Sequence, residues 1–228
     1  CDTTIFFTIT APPPLVPNST VVDPLCANSC DGSITLAPSG PPMPYTYVWA
    51  PVPTVGQGTP AASQLCPGDW AVTIMDADGC DTTFQFTLTA PPPITPNATQ
   101  TNIACNGACN GTASVAPTGG SGAFTYTWMP VPPIGQGAPT ASGLCAGPWS
   151  VTIADVNGCD TTIQFVITES PAINIGSTMT NTTCGASCDG SASLTVTGGT
   201  PGYTYLWTPA PGTGQGTATA GGMCPDVY

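Results

Sequence analysis

Apolar and polar residues alternate along the chain in short bursts separated by turn residues. In the first complete stretch the bursts are Ser33-Ile34-Thr35-Leu36, Tyr45-Thr46-Tyr47-Val48-Trp49, Trp70-Ala71-Val72-Thr73-Ile74 and Phe84-Gln85-Phe86-Thr87-Leu88. Each puts large apolar side chains on one face and mostly Thr on the other, the pattern of a half-buried strand. Turns fall at Asp31-Gly32, Pro41-Pro42, Gly56-Gln57-Gly58, Pro67-Gly68 and Asp76-Ala77-Asp78-Gly79. No run of about ten residues shows helical periodicity. The pattern predicts an all-β chain with roughly seven short strands per unit, the size of an immunoglobulin-like β-sandwich. Its core is predicted at Ile34, Leu36, Tyr47, Trp49, Leu65, Trp70, Val72, Ile74, Phe84, Phe86 and Leu88, and at the equivalents one period on.

That period is 79 residues and has no gaps. Cys1, Cys80 and Cys159 are 79 apart; so are Cys26, Cys105 and Cys184; Cys30, Cys109 and Cys188; and Cys66, Cys145 and Cys224. Trp49, Trp128 and Trp207 keep the step, as do the GQG triplets that begin at Gly56, Gly135 and Gly214. A fixed period of this length marks a tandem array of similar modules, whose usual work is to supply length, spacing or many copies of a surface. Proline marks the joints. Ala11-Pro12-Pro13-Pro14 and Ala90-Pro91-Pro92-Pro93 read as short stiff polyproline II spacers, and Glu169-Ser170-Pro171-Ala172 as a more pliable one. The expected division is 1–10 as the last strand of a preceding or neighbouring-chain module, then sandwiches at 15–89, 94–168 and 173–228. The last of these lacks its final strands. Two origins fit this arrangement: a window of a longer array, or a subunit in which residues 1–10 complete the third module of the next copy by donor-strand addition.

Charge narrows the function classes. There is no Lys, Arg or His, against twelve acidic residues, of which Glu169 is the one glutamate. Nothing can neutralise phosphates, so nucleic acid is excluded as a partner, as is basic adhesion to anionic lipid. Trypsin-like proteases find no cleavage site. No stretch approaches the ~20 apolar residues of a membrane span, so no membrane insertion is expected in this segment. Gly (27) and Pro (28) are abundant, yet 41% of residues are hydrophobic, which favours ordered modules rich in turns. Twelve cysteines at strict spacing predict disulfides and hence an extracellular or cell-surface setting.

Each unit reads C-x3-C-[DN]-G-S/T, then aromatic-T-Y-x-W, then L-C-x-G-x-W-x-V-T-I-x-D-x-[DN]-G-C-D where the chain extends that far. The stretch from Thr197 through Gly198-Gly199-Thr200-Pro201-Gly202-Tyr203-Thr204-Tyr205-Leu206 to Trp207 is the closest to a family pattern. In these motifs the chain resembles the SprB repeat, a module of large cell-surface adhesins of gliding and related Bacteroidota. The resemblance covers essentially the whole chain and implies an exported immunoglobulin-like or polycystic-kidney-like sandwich array. Trp70 and Trp149 stand where the family usually has Tyr. Two extra cysteines per unit and the lack of basic residues are further departures.

Catalysis has little to work with. Without His or Lys there is no imidazole base, no His-based triad and no Schiff base. The Asp residues sit at turns, where their side chains hydrogen-bond local backbone. No enzyme activity and no cofactor are expected. Asp76, Asp78, Asp155 and Asn157 resemble the opening of a calcium loop, but the distal glutamate is missing and a hairpin turn explains them as well. Asn18, Asn97, Asn110 and Asn181 head glycosylation sequons, and Asn18 and Asn97 share a register position. In an immunoglobulin-like strand order Cys66 lies near Cys26 and Cys30, whereas Cys80 lies at the far end and reaches for the neighbouring module. A Cys26–Cys80 type of bridge in another strand order stays open, since four cysteines allow three pairings. The functional expectation is a structural filament or stalk whose partners are copies of itself, head to tail. The alternative is an adhesin whose loops, such as Gly56-Gln57-Gly58 with an exposed Tyr45, bind surface glycans.

Overall fold

The computed structural model describes residues 3–8, 10–41 and 43–226. The described residues contain no helix, and the strands recur with the sequence period. The first repeat has β1 (Ser19–Val22), β2 (Gly32–Leu36), β3 (Thr46–Ala50), β4 (Ala61–Leu65), β5 (Gly68–Met75) and β6 (Asp81–Leu88). The second has β7 (Ala98–Thr101), β8 (Gly111–Val115), β9 (Thr125–Met129), β10 (Thr140–Leu144), β11 (Gly147–Ala154) and β12 (Asp160–Ile167). The third has β13 (Asn174–Thr180), β14 (Gly190–Thr197) and β15 (Thr219–Met223).

Each complete repeat folds into two three-stranded antiparallel sheets, β1-β2-β4 with β3-β5-β6, and their counterparts β7-β8-β10 with β9-β11-β12. This is the immunoglobulin-like A-B-E and C-F-G arrangement with strand D absent. The third repeat forms the sheet β13-β14-β15. Contacts gather the chain into two compact units. One holds residues 1–96 with 117–125 and 153–161, so the end loops of the second repeat cluster with the first repeat. The other holds 97–116, 126–152 and 162–228.

The alternation in the sequence becomes the two faces of the sandwich. Strand β5 buries Trp70, Val72 and Ile74 and turns Ala71 and Thr73 outward. On the outer face Thr73 and Thr83, paired across β5 and β6, share a hydroxyl hydrogen bond of 2.8 Å. Thr152 and Thr162 do the same in the second repeat. Such cross-strand pairs are the unit of sheet stability. The first core comprises Ile34, Leu36, Trp49, Ala62, Leu65, Trp70, Val72, Ile74 and Leu88. Tyr47, Phe84 and Phe86, expected inside, are only partly buried against it, and Leu15 and Ala62 join unannounced. Tyr45 is not exposed: it packs on the same cluster and its hydroxyl donates to Pro41 O at 2.6 Å.

Six strands form where about seven were expected. Neither β1 nor β4 has an alternating signal. All four residues of β1 are exposed, and β4 is built from Ala, Ser, Gln and a single Leu. Strand β4 also carries a bulge, at which Gln64 takes φ 58°. One and two periods on, the same position holds Gly143 (φ 73°) and Gly222 (φ 67°). Gln64 thus holds a left-handed backbone that the other repeats give to glycine, at an exposed site where its side chain packs on little. Gln64→Gly is expected to raise stability by about 1 kcal/mol, read as a shift of the urea midpoint with unchanged slope. A lowered midpoint contradicts the assignment.

Candidate functional site: the bridged junction between repeats

Four disulfides form among the described residues. Cys30–Cys66, Cys109–Cys145 and Cys188–Cys224 repeat one pairing, each 36 residues apart. In the complete repeats each ties the chain just before β2 or β8 to the chain just before β5 or β11. The fourth is of another kind. Cys26 of the first repeat bonds Cys159 of the second, across 133 residues, with Cα atoms 5.6 Å apart. Cys80, Cys105 and Cys184 carry free, exposed thiols, which corrects the expectation that every cysteine is bridged. Cys1 lies outside the described residues.

Local chemistry presents both sulfurs of the junction. Cys26 opens a tight turn in which Ser29 N donates to Cys26 O at 3.1 Å, and Ser29 Oγ accepts from Cys26 N at 3.0 Å. Cys159 closes the β11–β12 hairpin. There Asp155, only 6% exposed, takes Asn157 N at 2.9 Å and Cys159 N at 3.0 Å on Oδ1. Its Oδ2 takes Ser121 N at 2.8 Å. A buried carboxylate that accepts three backbone amides is well compensated without a cation. Asn157 Nδ2 donates to Leu25 O at 3.3 Å, beside the bridge. The proline spacer completes the joint. Pro92 O accepts Gly120 N at 2.8 Å, and Gly119, at φ 80°, lies so close that a Cβ would meet Pro93 O at 2.1 Å.

The remaining candidates have local structural work. Asp76 Oδ1 accepts Asp78 N and Cys80 N at 2.9 Å in the first hairpin, the same arrangement as Asp155. No group of three or more Cys, Asp or Glu side chains converges as a metal cage among the described residues. Asn18 and Asn97 take φ 45° and 48° and donate their amide nitrogens to Ala37 O and Ala116 O at 3.0 and 3.1 Å. That turn immediately precedes β1 and β7. Where Gly176 stands in their place, β13 runs straight through. Asn110 and Asn181 are exposed. Glu169 accepts Asn106 Nδ2 at 3.1 Å and Gly107 N at 2.8 Å, and so ties the 105–109 loop to the end of its own repeat.

The GQG triplets turn inward. Gln57 Oε1 accepts Trp49 N at 3.0 Å, and Thr59 O accepts Trp49 Nε1 at 2.9 Å. Gln136 with Trp128 and Gln215 with Trp207 repeat the pattern. Gly56 has φ 105°, and a Cβ there would overlap Ala61 O at 1.9 Å. The signal was available in the sequence: tryptophan and glutamine recur together at a constant spacing of eight.

The C-x3-C turn differs between repeats in one titrating group. Asp189 accepts Thr183 Oγ1 at 2.5 Å, Ser187 Oγ at 2.7 Å and Thr183 N at 3.0 Å. The Thr183 and Ser187 hydroxyls hold its carboxyl down to about 2. Asp31 keeps the serine contact, at 2.6 Å from Ser29, but has Leu25 where Asp189 has Thr183, and its carboxyl is also lowered, first by Ser29. A folded-state value below the unfolded one stabilises the turn above roughly pH 4, and that contribution is lost as pH falls toward 2. Carboxyl NMR is expected to give Asp189 a midpoint near 2 and Asp189→Asn to abolish this acid-linked loss. A midpoint near 4 refutes the contacts.

The SprB repeat family model matches residues 18–54, 97–132 and 176–212, in the same register each time. No curated protein matches the chain. Among solved structures, a 282-residue C-terminal intimin fragment in complex with the intimin-binding domain of its translocated receptor is 13% identical, with TM-score 0.35, over 73% of this chain and 67% of that one. The eight N-terminal immunoglobulin domains of Down syndrome cell adhesion molecule give 9% identity and TM-score 0.40 over 87% of this chain and 30% of theirs. The human desmocollin-1 ectodomain gives 13% and 0.37, over 72% and 38%. The three in-register matches fall on the repeats that the sequence period had already marked out, and in those segments the chain is similar to the SprB repeat.

Proposed function

We propose that the chain is a structural stretch of an extracellular, cell-surface repeat array, a stalk or filament that supplies length and holds consecutive repeats in a set orientation. The observation that carries this reading is the Cys26–Cys159 bridge. A proline spacer alone still leaves one soft torsion, ψ, at each proline. A second covalent route from one repeat to the next, parallel to residues 90–93, removes most of the freedom that remains. Oxidised sulfur at the joint also fits a location outside the cytoplasm. The uniformly acidic surface, with no Lys or Arg, suits long exposure to proteases.

Head-to-tail continuation of the array, or donor-strand addition by residues 1–10 of a second copy, supplies the partner in this reading. Ile5 and Phe7 are 71% and 85% exposed, whereas Phe165, the counterpart of Phe7, is 4% exposed. The third repeat carries a groove of about 590 Å³ bordered by Met179, Leu194, Trp207 and Met223. A second reading, an adhesin whose loops contact glycan or another surface, is favoured by one feature. Beside the GQG turns, Val52 with Val55 and Val131 with Ile134 are exposed apolar pairs in equivalent loops.

Single-particle images of the oxidised chain are expected to show a narrow distribution of angle between the first two repeats. The Cys26→Ser/Cys159→Ser variant broadens it. Equal distributions in the two proteins refute the proposal. Retention on immobilised glycans, lost when Val52 and Val55 become Ser, transfers the case to the adhesin reading.

A further inference from the structure

We infer that Gln57 and Gln136 guard the open edges of β3 and β9 against strand addition by the like edge of another repeat, in place of the edge lysines that this chain does not have. Such a guard is needed whether the chain is a stalk or an adhesin.

In each complete repeat the sheet order leaves β3 and β9 with a neighbour on one side only. Both strands are well suited to pairing. Tyr45-Thr46-Tyr47-Val48-Trp49-Ala50 and Phe124-Thr125-Tyr126-Thr127-Trp128-Met129 are runs of aromatic, β-branched and apolar residues with no charge and no proline. That is the composition of segments that stack edge to edge. Val48 and Met129 point outward, 59% and 64% exposed. Similar edges recur at each period, so every edge meets its like at high local concentration.

Proteins blunt such edges with lysine, proline or a bulge. Lysine and arginine are absent from the chain. Proline stands only after the strands, at Pro51 and Pro130. The pairing of β3 with β5 runs without a register shift. What lies against the edge is the GQG turn. Backbone groups of an edge strand point alternately toward its partner and away from it. The outward amide of Trp49 donates to Gln57 Oε1 at 3.0 Å, and that of Trp128 to Gln136 Oε1 at 3.2 Å. In the third repeat the glutamine engages both backbone groups of one residue. Gln215 Oε1 accepts Trp207 N and Gln215 Nε2 donates to Trp207 O, each at 3.2 Å. A residue of a paired antiparallel strand makes the same double contact. The side-chain amide is thus a peptide group with no strand behind it: it satisfies the edge and gives a further strand nothing to extend. Glycine makes the approach possible. A Cβ at Gly135 would meet Thr140 O at 2.1 Å, the same close packing on β10 that Gly56 has on β4.

The test uses the oxidised 228-residue chain with Cys80, Cys105 and Cys184 alkylated, so that disulfide exchange does not contribute. Gln57→Ala/Gln136→Ala uncovers both edges. Gln57→Glu/Gln136→Glu keeps an acceptor for each tryptophan amide and adds charge. Thr73→Ala/Thr152→Ala removes hydroxyl pairs from the outer face of the same sheets and leaves the edges covered. Sedimentation velocity and thioflavin T fluorescence are followed at equal protein concentration, in urea chosen from each unfolding curve so that all are equally folded. The Gln57→Ala/Gln136→Ala protein is expected to lose its monomer peak to thioflavin-positive aggregates about tenfold faster than the wild type. The other two variants are expected to stay monomeric. Hydrogen exchange in the aggregates is expected to be slowed at Tyr47 and Trp49. A folded Gln57→Ala/Gln136→Ala protein that stays monomeric overturns the inference. Aggregation of the Thr73→Ala/Thr152→Ala protein at the same rate does so too, because lost stability then explains the effect. Should the glutamine variant fail to fold, the wild type decides. Trp49 and Trp128 amides protected from exchange uphold the guard, and exchange at the rate of unstructured peptide overturns it.

Discussion

One tryptophan in each complete repeat, Trp49 or Trp128, seated between two three-stranded sheets, is what the sandwich depends on. Sheets this narrow bury little, and Trp49 and Trp128, 1% and 0% exposed, are the largest side chains that they enclose. A buried indole must place its N–H, and the strand that carries it leaves its amide facing the loop that follows β3 or β9. The GQG turn answers both demands at once, through glutamine to the amide and through the turn carbonyl to the indole. That fixes the loop between β3 and β4 and with it the crossing from one sheet to the other. In the second repeat Phe165 adds a ring 5.7 Å from Trp128.

A chain without cations must satisfy every carboxylate by other means. Backbone amides, side-chain amides and hydroxyls do so for the carboxylates that organise the turns. Asp76 and Asp155 organise the hairpins, Asp31 and Asp189 organise the C-x3-C turns, Asp23 accepts Thr89 N at 2.8 Å, and Glu169 anchors the loop at Asn106. No buried polar side-chain atom among the described residues lacks a hydrogen bond. The acidic turns that resemble a metal loop in sequence are the same turns that aim the junction cysteines. Electrostatics and covalent linkage meet at a single feature, the hairpin before Cys80 and Cys159.

Legibility followed chemistry. Strands β2, β3, β5 and β6 were readable because one face of each is buried and the other is not. Strands β1 and β4 were not, because an exposed edge and a run of small residues leave no period of two to detect. The glycine of Asp31-Gly32 reads as a turn former. In place, Gly32 and Gly111 begin β2 and β8, where a Cβ would meet Leu88 at 2.6 Å and Ile167 at 2.8 Å. Close packing, rather than backbone freedom, selects them. Tyr45 looked available for ligand contact, yet its ring had a core to cover and its hydroxyl a carbonyl to reach.

The repeat, its register, the all-β class, the sheet faces and the absence of phosphate-binding chemistry were fixed by the amino-acid sequence, since each depends on residue type and spacing along the chain. The partner of each cysteine was not. Cys26 and Cys30 lie four residues apart and both approach Cys66 in any immunoglobulin-like order. The choice between them turned on which sulfur faces its own sandwich and which faces the hairpin of the next repeat, and that direction exists only once the turn at Ser29 has closed and two repeats have packed.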